Sequence, residues 1–236
     1  MHPCSGLRRM LLRVSDDDAM DVFVTGGTGY VGGALAPVLV RRGHLVRVLA
    51  RAASRSRVPD GARMIPGDAL DAATFAGAIP RGASLVHLVG TPHPNPSKAA
   101  EFERVDLASI EASIAAATRA GVSHLVYVSV AQPAPVMQTY VAARAAGETL
   151  IRKSGIAATF VRPWYVIGPG HWWPLTLAPL YALAGWLPAT RETAARLGLV
   201  TLAQMVRALV NAVEMPPASG EVRIVDVPGI RSAPAV

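Results

Sequence analysis

A β-prone run, Asp21-Val-Phe-Val-Thr25, passes directly into Gly26-Gly27-Thr28-Gly29-Tyr30-Val31-Gly32-Gly33, and a helical stretch follows from Tyr30 to Arg42. Gly27, Gly29 and Gly32 satisfy Gly-x-Gly-x-x-Gly, and Gly26, Gly29 and Gly32 satisfy Gly-x-x-Gly-x-x-Gly. Glycines here let the backbone turn sharply and let a pyrophosphate approach without meeting a Cβ. The helix behind them offers free N–H groups and the positive end of its dipole. A glycine motif alone is a weak signal. One that ends a strand, opens a helix and heads a βαβ unit restricts the chain to an open α/β sheet.

The rest of the chain keeps that rhythm. Strands are expected over Leu45–Leu49, Ala62–Ile65, Ser84–Val89, His124–Ser129, Ala158–Arg162 and Glu221–Asp226. Helices are expected over Ser97–Ala120, which Gly121 ends, over Gln138–Ser154 and over Leu202–Glu214. Several strands are continuous apolar runs, as in a parallel sheet covered by helices on both faces. The order is that of a doubly wound α/β sheet. With 236 residues, 51% apolar and 17% charged, the chain suits one domain with a large core. Residues 1–19 lack periodicity and read as a disordered extension, with Met20 as the natural start. Residues 20–236 read as a single domain, 163–200 as a substrate-pocket insertion, and Ser232–Val236 as a loose end.

Charge and cysteine content narrow the function classes. The net charge of +7 comes from scattered arginines, with only Lys98 and Lys153 as lysines, which reads as a solvated surface and not a nucleic-acid track. Cys4 is the single cysteine, so an intrachain disulfide is excluded and a cytoplasmic setting fits. His93 and His171 are isolated loop histidines without patterned acids, so no metal site is expected. From Pro163 to Thr190 no residue is charged, but prolines divide the run, and its longest proline-free piece is Leu180–Leu187. A spanning helix needs about 20 residues, so no transmembrane span is expected. A pocket wall, a subunit interface or a peripheral membrane contact remains open, for a monomer or a homodimer.

The second strand bears on cofactor choice. An acid at its end would accept hydrogen bonds from a ribose 2′-hydroxyl. Here Leu49-Ala-Arg51-Ala-Ala-Ser54-Arg55-Ser-Arg57 carries none before Asp60. Arg51, helped by Ser54 and Arg55, fits a 2′-phosphate, which favours NADP over NAD.

These features resemble the short-chain dehydrogenase/reductase superfamily, in its extended and atypical branches (NmrA-like, NAD-dependent epimerase/dehydratase-like), from about Met20 to Gly229. The resemblance rests on Thr25–Gly32, Gly67-Asp68-Ala69-Leu70-Asp71, Val86-His-Leu-Val-Gly90, Gly121–Ser129, Tyr140-x-x-x-Arg144 with Glu148, and Val161-Arg-Pro163 leading to Gly168-Pro-Gly170. It implies a Rossmann-type fold with Gly26, Thr28, Gly29, Tyr30, Val31 and Gly32 around the cofactor phosphates. Asp68 would meet the adenine amino group, Ala69 would pack on the ring, and Val89 and Gly90 would line the ribose. Thr91 and Pro163 complete the implied cofactor set.

The implied catalytic pair departs from the family's Tyr-x-x-x-Lys. Tyr140 and Arg144 lie one turn apart on one helix face. The guanidinium keeps the positive charge, but it cannot relay a proton. The hydroxyl expected to orient the substrate lands on Ala131 at the usual offset, leaving Ser129, with Thr91 as a further candidate. His87, inside a strand, reads as a packing histidine, and Trp164, Tyr165, Trp172 and Trp173 read as a pocket wall. The charge-free segment points to a small apolar substrate. Two functions follow: an NADP-dependent reductase or epimerase-like enzyme on a carbonyl or alcohol, and a catalytically silent dinucleotide-binding sensor or assembly subunit.

Overall fold

A computed structural model describes residues 19–91, 94–177, 192, 193 and 195–236. The expected extension lies outside the described residues except for Ala19, and His93 lies outside them too. The elements run β1 (Asp21–Thr25), α1 (Tyr30–Arg41), β2 (Leu45–Ala50), β3 (Arg63–Pro66), β4 (Ser84–His87), α2 (Ala108–Ala120), β5 (His124–Val128), α3 (Gln138–Ser154), β6 (Ala157–Val161), β7 (Tyr165–Ile167), β8 (Leu199–Thr201), α4 (Leu202–Glu214), β9 (Val222–Val225) and α5 (Val227–Arg231).

Seven strands form one sheet in the order β3-β2-β1-β4-β5-β6-β9, and every neighbouring pair is parallel. The doubly wound Rossmann-type α/β fold expected from the sequence is therefore present. Strand residues alternate between two cores, as the pleat requires. Val22, Val24, Val86 and Val126 pack on the side of α1 and α4 with Leu35, Leu39 and Leu209. Phe23, Leu85, Leu125, Tyr127 and Phe160 pack on the opposite side with Ile110 and Ile151. Chain order reverses between β1 and β4, and the crevice beyond the carboxyl ends of such strands is where this fold takes ligands.

Three local features differ from expectation. The helix expected over Ser97–Ala120 is interrupted by a π-helical stretch, Phe102–Leu107, ahead of α2. Asp106 lies in that stretch and faces inward, onto Thr91 and Arg144. The two ends of the 163–200 region pair as the small parallel sheet β7–β8, while residues 178–191 and 194 lie outside the described residues. The tail expected to be loose is tied down at two points. Ser232 Oγ donates to the Pro228 carbonyl at 3.0 Å, and Asn211 Nδ2 donates to the Pro234 carbonyl at 3.2 Å.

Candidate active site

The glycine loop is built by close approach. Gly26 has φ of +74°, and a Cβ on it would stand 2.8 Å from the Leu88 carbonyl carbon, so glycine is required on both counts. A Cβ on Gly32 would strike the Gly26 carbonyl oxygen and Gly27, so its absence lets α1 seat against the loop. Gly29 is the N-cap of α1. With no side chain to bond them and no acid in the first turn, the first N–H groups of the helix are left available.

In front of this loop lies a cavity of about 440 Å³. Gly26, Thr28 and Gly29 form one wall, and Asp68 and Ala69 form the wall beyond β3. Val89 and Gly90 close it beyond β4. At the end of β2 it is lined by Arg51, Ser54 and Arg57, and Arg57 Nη2 donates to Ser54 Oγ at 2.7 Å. Arg57, and not the expected helper Arg55, is the second arginine on this wall. The turn after β2 is a 3-10 helix over Ala52–Arg57, in which residues three apart share a face. Cβ-free backbone approaching the space and basic side chains at its far end fit a pyrophosphate-linked dinucleotide.

Five residues of the implied cofactor set lie outside the lining of this cavity. Tyr30 turns its ring onto His171, with centroids 4.3 Å apart, and Gly168 makes room for its hydroxyl. Val31 packs against the α1-side core. Gly32 serves the loop from behind. Pro163 lines a second cavity. Thr91 is buried, and its N–H and Oγ1 both donate to Asp106 Oδ2, at 2.9 and 2.6 Å.

That second cavity, about 620 Å³, opens beyond β5. Tyr140 and Ser129 line it together with Val128, Met137, Trp164 and Tyr165. Ser129 is 2% exposed, and its Oγ has no hydrogen-bond partner among the described residues. The Tyr140 ring rests on Phe102, with centroids 5.1 Å apart. Trp172 is exposed, and the side chain of Trp173 lies outside the described residues.

Arg144 stands between the cavities. Its Nη1 donates to the Val128 and Val89 carbonyls at 3.1 and 3.3 Å, joining the ends of β5 and β4. Its Nη2 lies 2.7 Å from Asp106 Oδ1 in an ion pair whose side chains are almost fully buried. The guanidinium carbon sits 5.4 Å from the Tyr140 ring centre and 5.7 Å from that of Tyr127. Burial works against the guanidinium's charge, but the polar groups packed around it outweigh burial, and Arg144 is protonated.

Behind the pair, Thr25 Oγ1 and Ser113 Oγ lie 3.0 and 2.9 Å from His87 Nδ1. Burial, with Arg144 nearby, lowers the pKa of His87 to about 3, so it is a neutral packing residue, as read from the sequence. Glu148 is engaged by Arg162 at 2.8 Å and by Gln132 at 3.0 Å. Asp106 was missed in the sequence. The signal was its spacing: it shares a helical face with Phe102, Ser109, Ile110 and Ser113, all of which are buried.

A Rossmann crevice with a glycine cradle, beside an apolar cavity carrying a tyrosine, defines a dinucleotide-sized site with a second cavity next to it. A family model described as NAD(P)H-binding matches residues 26–168, and the chain belongs to that family. It shares its fold with a short-chain dehydrogenase/reductase superfamily protein from Agrobacterium tumefaciens, with a TM-score of 0.62, 16% identity, and 89% of this chain and 80% of that one covered, and its cofactor is a nicotinamide dinucleotide. It is 30% identical over 212 residues to the ceramide reductase of Caulobacter vibrioides, covering 87% of this chain and 64% of that protein. It is 29% identical over 171 residues to the 4-hydroxy-2-methyl-3-oxo-4-farnesyl-3,4-dihydroquinoline-1-oxide ketoreductase of Stigmatella aurantiaca, covering 63% of this chain and 51% of that one. The chain therefore spans less than two thirds of the length of these relatives. Among solved structures, MoeE5 in complex with UDP-glucuronic acid and NAD shares the fold, with a TM-score of 0.64, 20% identity, and 87% of this chain and 75% of that one covered. No helix among the described residues is long and apolar enough to cross a membrane.

Proposed function

We propose that the protein is an NADP(H)-dependent reductase acting on a small apolar carbonyl compound, with Tyr140 as its acid–base group and Ser129 as the orienting hydroxyl. One observation carries this reading. Tyr140 and Ser129 line a largely apolar cavity whose Val128 wall is joined through Arg144 to Val89, on the wall of the dinucleotide cavity. Two hydroxyls beside apolar side chains suit a substrate with a single oxygen to hold. The names of the two relatives, a ceramide reductase and a ketoreductase of a farnesylated quinoline, agree with an apolar substrate.

A bound nicotinamide dinucleotide would supply the hydride. The residues assigned to hold it are Gly26, Thr28 and Gly29 for the phosphates, Asp68 and Ala69 for the adenine, and Val89 and Gly90 for the ribose. Tyr30, Val31, Gly32, Thr91 and Pro163 act by shaping these walls. Arg51 and Arg57, with no acid at the end of β2, favour a 2′-phosphate and hence NADP. Ser129 Oγ holds the substrate oxygen in position while Tyr140 exchanges a proton with it. The protein is assigned to the cytoplasm, as a monomer or homodimer.

The test is consumption of NADPH with apolar ketones and aldehydes of graded chain length, for the wild type, Tyr140→Phe and Ser129→Ala. Turnover lost in both variants with NADPH affinity unchanged supports the reading. Tight NADPH binding without turnover on any carbonyl would favour the silent sensor instead, a role that suits an Arg144 already engaged by Asp106 and two carbonyls.

A further inference from the structure

We propose that the rim of the second cavity is a docking surface for an anionic phospholipid bilayer, so that the protein meets an apolar substrate at the membrane surface. The proposal rests on the reading above for the substrate's apolar character alone, and adds where that substrate is taken up.

The sequence gathers interfacial chemistry in one place. All four tryptophans of the chain, Trp164, Trp172, Trp173 and Trp186, fall in the run from Pro163 to Thr190 that carries no Asp, Glu, Lys or Arg. An indole joins a large apolar ring to a single N–H donor, and it settles where hydrocarbon meets water. Core packing does not account for Trp172, which is 55% exposed.

The described part of this run sets that chemistry beside the cavity. The Leu175 N–H donates to the Trp172 carbonyl at 3.0 Å, and a 3-10 helix spans Trp173–Leu177, so positions 172 and 175 share a face. Leu175 is 44% exposed, and Val136, on the loop between β5 and α3, is 55% exposed. Each of the three is next in the chain to a residue that lines the cavity: Val136 to Met137, Trp172 to His171, and Leu175 to Pro174. A lone exposed apolar side chain needs no explanation. Three at the edge of one largely apolar cavity mark a contact surface.

Charge selects the occupant. Arg196 Nε donates to the carbonyl of Pro133, on the loop that carries Val136, at 3.1 Å, and its Nη2 donates to Thr193 Oγ1 at 3.3 Å. Neither partner is charged, and no acid pairs with Arg196 among the described residues. A cation beside an apolar rim, on a chain of net charge +7, matches the negative surface of an anionic bilayer, which draws in basic residues close to it. A second copy of this chain would bring like charge against like.

The test is co-flotation of the full chain with vesicles of phosphatidylcholine alone and of phosphatidylcholine mixed with phosphatidylglycerol, at several salt concentrations. The wild type should float with the anionic vesicles, and brominated lipid in them should quench its tryptophan emission. Trp172→Ser/Leu175→Ser should bind at least about tenfold more weakly, the scale of losing one buried apolar side chain or more. Val136→Ser, on a separate loop, should weaken binding in the same direction and keeps the question answerable if the first variant does not fold. Arg196→Gln should bind less tightly and with a flatter salt dependence. A wild type that floats with neither vesicle, or equally with both, would overturn the proposal, and so would serine variants that float as wild type does. Dimerisation abolished by the same variants, without flotation, would assign the face to a second copy and overturn it too. Failure of the reductase reading would appear separately, as flotation intact with no NADPH consumed on any soluble carbonyl.

Discussion

Arg144 Nη2 occupies the place that a Cβ at position 90 would take, so the guanidinium and Gly90 fit only as a pair. Gly90→Ala should push the guanidinium off Asp106 and separate two buried charges that now pair with each other. The expected loss is about 3 kcal/mol in urea denaturation, the scale of breaking a buried ion pair. Gly33→Ala, where a Cβ would meet nothing within 4 Å, is the control and should move stability little.

The glycine loop separates folding from binding. Gly26→Ala requires a positive φ and a contact with Leu88, so it should destabilise the fold. A Cβ on Gly29 meets only the Gly26 carbonyl, at 3.2 Å, so Gly29→Val should stay folded and lose dinucleotide binding. Thermal melts and calorimetric titration of the two variants check this. A folded Gly29→Val that binds at wild-type affinity would show that the loop is not the phosphate cradle.

Cofactor preference should reside in two arginines. Arg51→Ala and Arg57→Ala should each lower the NADP-over-NAD preference by roughly 1–3 kcal/mol, the range of a charged hydrogen bond. Arg55→Ala should leave it unchanged. Calorimetry with both cofactors decides, and equal wild-type affinities would refute the assignment.

Stability should fall in mild acid through two buried histidines. Burial lowers His87 to about 3 and, with Arg223 nearby, His124 to about 4, whereas an unfolded histidine titrates near about 6.5. The unfolded chain therefore binds more protons between those values. The stabilisation is complete above about pH 6.5 and is lost as the pH falls toward 4 and then 3. From pH 7 to 5 the two together should remove roughly 3–4 kcal/mol. His124→Gln, whose amide can still reach Thr159 Oγ1 (3.0 Å from the ring nitrogen), should halve that loss. Urea midpoints at several pH values test the slope.

What was legible in the sequence was what short-range chemistry decides. The turn from β1 into α1 was readable because its glycines answer a local need, and α3 was readable because no proline interrupts Gln138–Ser154 and Gly155 ends it. The packing role of His87 followed from its place in an apolar strand. The partner of Asp106 was not readable, because Arg144 lies on another helix. Strands β7 and β8 have three residues each, too few for a period to emerge. Arg57 replaced Arg55 because the connection after β2 winds as a 3-10 helix, and its period sets which arginine faces the cavity. At the candidate site, the residues were readable while their partners were not.

In the proposed reaction the dinucleotide supplies the hydride, while Tyr140 exchanges a proton with the apolar carbonyl compound and Ser129 holds its oxygen. Single-turnover consumption of NADPH, by wild type and Tyr140→Phe at saturating apolar ketone, tests it most directly. The account predicts that Tyr140→Phe slows the step at least about a hundredfold, the scale of acid–base catalysis, while NADPH binds both proteins equally. Equal rates in the two proteins would contradict it.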